Sequence, residues 1–208
     1  MADLPSMRVS QLRAFSQVAV DFAGLIYTII SRTRGARSVK SDFCIFICLA
    51  TKAMHLELVS ALTTEAFLAA LRRFTSRRGK CSLIISDQGT NFIGASNYLQ
   101  KMAEAAGAQL ELEWKFNPPG APHFNGFAEA GVKSVKHHLL RVVGDQKLTF
   151  EEVYTVLTQM EAVLNSRPLA ALSNDPNDLQ SLTPAHFLCL EPINSSVLDP
   201  DFTQVVID

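Results

Sequence analysis

Three carboxylates in this sequence stand where a fold could bring them together. Asp21 interrupts an apolar stretch, VAVDFAG; Asp87 closes another, IISDQGTNF; Glu129 opens a helical pattern after a loop of prolines and glycines. Hard oxygen ligands of this kind hold two Mg²⁺ or Mn²⁺ ions about 3.5–4 Å apart in phosphoryl transfer, one ion activating the attacking oxygen and the other stabilising the leaving one. Each acid also has a plainer reading. An aspartate in a strand can face water on a half-buried sheet. Asp87, beside Gly89 and Thr90, suits a turn or a helix cap. An acid in the first turn of a helix, as Glu129 is, is favoured by the helix dipole alone.

The neighbours of Glu129 extend the chemistry. Lys133 and Lys136 follow it by four and seven residues, so the three side chains share one helical stripe. A metal ligand backed by two lysines would hold a DNA phosphate backbone beside the metals; the alternative is a solvated face with one ion pair. His123, in the loop before Glu129, either positions a substrate or is a loop histidine without a catalytic duty. His137, His138 and Arg141 make a basic helix end that the dipole favours with or without DNA. Arg72, Arg73, Arg77, Arg78 and Lys80 form a second basic cluster, read as a solvated face, with DNA backbone contact as the alternative.

The elements that must position these residues follow from periodicity. Gln17 to Ile30 alternates as a strand, with Val18, Val20 and Phe22 on one face and Ala19, Asp21 and Ala23 on the other. A basic connection (Arg32, Arg34, Gly35, Arg37, Lys40) reads as a hairpin. Phe43 to Ala50 is an unbroken apolar run, the pattern of a strand covered on both faces, and His55 to Val59 makes a third strand. Thr63 or Thr64 caps a helix carrying Phe67, Leu68, Leu71 and Phe74 inward, and Gly79 stops it. A strand at Ser82–Ser86, a helix from about Asn91 to Ala106 and a strand at Leu110–Phe116 come next. The loop NPPGAPHFNG excludes regular structure. A helix from Phe127 to about Val143 has Val132, Val135 and Leu139 as its core stripe. Thr149 and Glu152 form a capping box for a last helix that Pro168 ends. Three strands in succession and then alternating helix and strand predict a mixed α/β sheet of five strands flanked by helices.

The bulk numbers agree with one globular domain: 208 residues, 48% apolar and 19% charged. A formal charge of −1 argues against a strongly basic nucleic-acid binder, yet leaves room for a local basic face. Cys44, Cys48, Cys81 and Cys189 form no CxxC pair, and Cys44 and Cys48 lie roughly 13 Å apart along one strand, so buried free thiols in a reducing compartment are expected. No apolar run reaches membrane-spanning length and the N-terminus lacks a signal-peptide core, which leads us to expect a soluble protein, nuclear or cytoplasmic.

Several long segments, TKAMHLELVSALTTEAFLAALRRFTSRRGK, SDQGTNFIGA, WKFNPPGAPHFNGFAEAGVKSVKHHL and LTQMEAVLNSRPL, resemble the integrase core of Bel/Pao-type LTR retrotransposons in the same order, over about Asp3 to Leu190. The resemblance implies an RNase H-like fold, a D,D-E triad of Asp21, Asp87 and Glu129 binding two Mg²⁺ or Mn²⁺ ions, DNA contacts at Lys133 and Lys136, and a mobile active-site loop before Glu129. Residues 1–9 then form an upstream segment, 10–192 the catalytic core and 193–208 an acidic tail. The expected activity is that of a polynucleotidyl transferase and endonuclease: DNA 3′-end processing and strand transfer, in the nucleus, as a homo-oligomer acting on element ends and target DNA. A catalytically silent or domesticated remnant that binds DNA or protein is the alternative; a nuclease of the same fold acting on RNA–DNA hybrids fits the quoted segments less well. Forty-one residues separate Asp87 from Glu129, a few more than the retroviral spacing. Leu25, Gln88, Ala128 and Gly131 depart from the family pattern, and Gly131 should cost the helix about 0.5–1 kcal/mol. The zinc-binding His/His/Cys/Cys domain and the basic domain that accompany such cores are not among these residues, so nicking or reversed strand transfer is expected ahead of concerted integration.

Overall fold

A computed structural model describes residues 13–109, 111–118, 126–144, 146–172 and 180–189. Strands β1 (Gln17–Ile29), β2 (Ser38–Cys48) and β3 (Met54–Val59) form an antiparallel meander. Helix α1 (Thr64–Arg78) crosses to β4 (Leu83–Ser86), and α2 (Thr90–Ala105) crosses to β5 (Glu113–Phe116), both strands parallel to β1. Helices α3 (Gly126–Val143) and α4 (Phe150–Asn165) follow, joined by the two-residue strand β6 (Leu148–Thr149). The sheet order is β3-β2-β1-β4-β5, with β6 adding to β1 at Thr28–Ile29.

The mixed α/β architecture matches the expectation, but the sheet has a sixth strand. Two residues are too few to show a period, and β6 is held by its neighbour rather than by its own pattern. A small hairpin, β7 (Ala170–Ala171) with β8 (Ser181–Leu182), and the short α5 (His186–Cys189) follow the helix that Pro168 was expected to end.

The alternation in β2 divides the core. Cys44, Phe46 and Cys48 point to the face covered by α1 and α2, joining Val18, Val20, Phe67, Phe74 and Phe92. Phe43, Ile45 and Ile47 point to the face covered by α3 and α4, joining Ala23, Ile26, Val135, Leu139, Val153 and Leu157. Phe46 stacks on Phe74 at 4.3 Å between ring centroids. Local signals set the helix ends as expected. Thr63 accepts from the Ala66 N–H at 3.2 Å, Gly79 takes φ 83°, and Thr149 and Glu152 close a capping box. Cys44, Cys48 and Cys81 are buried free thiols, burial pushing Cys81 up to about 11; Cys189 departs from the expectation and is exposed. No helix among the described residues is long and apolar enough to cross a membrane.

Candidate functional site

Parallel pairing of β1 with β4 sets the site. Ala19 lies beside Ile85, so the chain leaves β4 at Ser86 level with the middle of β1, and Asp87 emerges next to the Asp21 region. Asp21 shares its face of β1 with Ala19 and Ala23, the face that α3 covers. It is half-buried, and its Oδ1 accepts from the Phe22 N–H at 2.7 Å. Its pKa is pushed from 3.8 up to about 6: burial contributes most, the Phe22 N–H opposes it, the charges of Asp87 and Glu129 raise it further and Lys136 lowers it. Two acids far from it in sequence therefore act on Asp21.

Asp87 is exposed, and its Oδ1 accepts from the Gly89 N–H at 2.9 Å. The turn reading of Asp87 is thus realised in geometry, and it leaves the second oxygen open to other chemistry. A Cβ at Gly89 would stand 2.5 Å from Asn91 Oδ1 and 3.0 Å from Asp87 Oδ1, so a side chain there would displace these two oxygens. Two further bonds buttress it. Trp114 Nε1 donates to Ser86 Oγ at 3.0 Å, and Gln88 Nε2 donates to the Asn117 carbonyl at 3.1 Å, tying the turn after β4 to the segment after β5.

Glu129 is exposed in the first turn of α3, and Lys133 and Lys136 are exposed along the same helix. Arg141 is exposed in its last turn. His123 lies outside the described residues. The core stripe of α3 is Ala128, Gly131, Val135 and Leu139, with Val132 only partly buried. Gly131 has a reason that helix propensity misses. A Cβ there would stand 2.5 Å from Ile47 Cδ1 and 3.0 Å from Ile45 Cδ1, so the glycine lets α3 lie close on β2.

The donor set fits a hard divalent cation: three carboxylates, no thiol or imidazole, and a mutual repulsion that a cation would relieve. The spacing of the side chains is looser. Among the described residues, no group of three His, Cys, Asp or Glu side chains stands close enough to hold a metal ion. Two hollows of about 400 and 760 Å³ lie away from these acids, lined by residues such as Leu99 and Leu112, and belong to the packing of α2 on the sheet.

The second basic cluster is corrected in part by the structure. Arg73 and Arg77 reach the fully buried Glu57 at 2.5 and 3.0 Å, and Arg78 pairs with Glu161. His55 bridges the two acids, 2.9 Å from Glu57 and 3.2 Å from Glu161. Glu161 also accepts the Leu56 N–H at 2.8 Å. Acids on β3 and α4 thus engage Arg73, Arg77 and Arg78, with Arg77 still half exposed, while Arg72 and Lys80 are exposed as a solvated face would have them. The available signal was the HLELV alternation, which puts His55 and Glu57 on one strand face, together with Glu161 on the inward stripe of α4.

No family model matches the sequence, and no curated protein matches it significantly. Among solved structures, the chain is similar to one from the simian T-cell lymphotropic virus intasome in complex with PP2A regulatory subunit B56 gamma. The TM-score is 0.58 and the identity 13%, over 92% of this chain. This chain spans 59% of that one. The likeness is one of fold alone.

Proposed function

We propose that this chain is an integrase catalytic core of the Bel/Pao kind, carrying out metal-dependent DNA 3′-end processing and strand transfer through Asp21, Asp87 and Glu129. One observation carries the reading: on an integrase-like sheet, Asp21 is lifted to about 6 by its burial and by the charges of Asp87 and Glu129. A half-buried aspartate facing two further acids is a poor structural device and a good cation trap.

Asp21, Asp87 and Glu129 would hold two Mg²⁺ or Mn²⁺ ions, which when bound supply an activated oxygen nucleophile and charge neutralisation for in-line phosphoryl transfer. Asp21, on a strand paired along both edges, fixes the position of the set. Asp87 is held by its own turn, with one oxygen committed to the Gly89 N–H. Glu129 enters from the loop side on the first turn of α3. Lys133 and Lys136 lie along α3 where a phosphate backbone would pass, with Arg141 further on and His123 in the preceding loop as additional DNA contacts. DNA, both element ends and target, is the proposed substrate, the nucleus the proposed place of action and a homo-oligomer the proposed working form.

The decisive experiment is Mn²⁺-dependent strand cleavage and disintegration on a branched duplex. Asp87→Asn, with its circular dichroism unchanged, should reduce the rate by at least about a thousandfold. Unchanged cleavage would remove Asp87 from the catalytic set. A second reading, a silent remnant that binds DNA, is favoured by the loose spacing of the carboxylates. Tight duplex binding by the unaltered protein without turnover in Mn²⁺ would select it.

A further inference from the structure

Residues 22–41 hold four cations, Arg32, Arg34, Arg37 and Lys40, and no acid, in a chain of formal charge −1. The structure puts them on an arm. β4 pairs with β1 only at Gln17–Ala19, and β3 leaves β2 at Asp42. From the pairing of Ile26 with Ser41 to that of Ile29 with Ser38, the two strands pair, among the described residues, only with each other and the two-residue β6, while Ile26 still packs into the core under α3 and α4. A register shift between Ala23 and Ile26 bends the strand where the arm begins. Gly24 sits in that shift, and a Cβ there would collide with the Asp42 carboxylate. At its far end the arm is pinned by Arg32, whose Nε and Nη2 donate to Glu152 Oε1 at 2.9 and 2.6 Å.

Arg34, Arg37 and Lys40 are exposed, and among the described residues none of the three is in a salt bridge. Tyr27, directly across from Lys40, is 54% exposed; Val39, paired with Thr28 and so on the other face of the arm, and Ile30 are also open to solvent. The arm continues β1 outward from Asp21, so its base-to-tip direction starts at the candidate carboxylates. Eight residues of strand reach about 26 Å, the length of seven or eight base pairs of duplex. Helix α3, with Lys133 and Lys136, leads toward the same place, because β6 just after it pairs with Thr28–Ile29.

We infer that the β1–β2 arm is a second phosphate-backbone contact, gripping the duplex about seven base pairs from the end held at the carboxylates. The inference rests on the DNA reading above. Arg34, Arg37 and Lys40 supply the charge, with exposed apolar surface on both faces of the arm, Tyr27 beside Lys40 on one and Val39 beside Arg37 on the other. An acidic protein would satisfy the charges equally. The duplex is favoured because β1 runs on from Asp21 into the arm, and β6, just after the lysine-bearing α3, pairs with the arm at Thr28–Ile29.

Fluorescence anisotropy with a labelled 30-base-pair duplex, titrated between 50 and 200 mM salt, tests it. The triple variant Arg34→Ala, Arg37→Ala, Lys40→Ala should lower the slope of log K against log salt by about 2–3, since each neutralised phosphate contributes about 0.9. Affinity should fall at least tenfold at the lowest salt, while Arg72→Ala with Lys80→Ala, outside the arm, changes neither. Thermal melts confirm that each variant is folded. An arm variant with the unaltered slope, beside a Lys133→Ala, Lys136→Ala variant that loses it, overturns the arm and leaves the DNA reading standing. Failure of the unaltered protein to bind duplex overturns both. Competition by polyglutamate as strong as by duplex, charge for charge, overturns the arm as a DNA contact and assigns it to an acidic protein.

Discussion

Two buried or half-buried centres on the same sheet, the Glu57–Glu161 pair and Asp21, are treated in opposite ways. Glu57 and Glu161 lie inside a set of three arginines and His55, with each acid doubly or triply bonded. Burial alone would raise both acids, but bonds and charge from His55, with Arg73 at Glu57 and Arg78 at Glu161, outweigh it and hold them below the usual carboxylate range. Burial likewise depresses His55, and its hydrogen bonds to the two acids overcome this and raise it. Asp21 receives one backbone N–H and two like charges, and burial dominates. A fold that can pair its buried acids this thoroughly at one place leaves them in mutual repulsion at another. The first arrangement holds α1, β3 and α4 together; the second costs stability and keeps oxygens available to a ligand.

The contrast can be broken from either side. Glu57→Gln should cost the most, about 2–4 kcal/mol in urea denaturation, because Arg73, Arg77 and His55 lose the partner they surround. A loss under about 0.5 kcal/mol would mean that the cluster is not an anchor. Asp21→Asn should go the other way, raising stability by about 1–3 kcal/mol at pH 7, since the folded state no longer bears a carboxylate it disfavours.

The sign with pH distinguishes the two regions further. Asp21 binds its proton more tightly folded than unfolded, so its penalty is absent below 3.8, grows as pH rises and is complete above about 6. The advantage of Asp21→Asn should therefore vanish in acid and open between these values. Glu57 and Glu161, being lowered, contribute stability that is present above the ordinary carboxylate range and lost as pH falls through their folded values. Acid melts of the unaltered protein and Asp21→Asn should thus converge while both decline. The smallest effect belongs to Gly131→Ala, where a helix gain of about 0.5–1 kcal/mol is opposed by contact with Ile45 and Ile47, for a net loss near 1 kcal/mol. A net gain would show that α3 can lift from β2 without cost.

Much of this was readable before the fold. The caps at Thr63 and at Thr149 with Glu152, the stop at Gly79 and the two-faced apolar run of β2 are local, and periods and caps are written in neighbouring residues. Asp21 on the face of Ala19 and Ala23 was also legible, because alternation fixes it. The partners of Arg73, Arg77 and Arg78 were not, since Glu57 and Glu161 reach them from other elements and nothing local announces the pairing. Gly131 was misread for the same reason: helix propensity sees the helix and not Ile47 beneath it. The side-chain distances among Asp21, Asp87 and Glu129 are tertiary too, and no spacing in the chain encodes them.

The central place of β1 carries a consequence for how the chain folds. Its partners come from successive parts of the sequence: β2 pairs Val18 with Cys48, β4 pairs Gln17 with Leu83, and β6 pairs Thr28 with Leu148. Short loops close at lower entropic cost than long ones, so the meander can form while β4 and α3 are still searching. Asp21 is then in position before either of the acids that repel it arrives, and pulsed hydrogen exchange should protect β1 and β2 ahead of β4. The electrostatic penalty falls on the last steps of assembly, so a nascent or incomplete chain would gain the meander without gaining the three-acid centre.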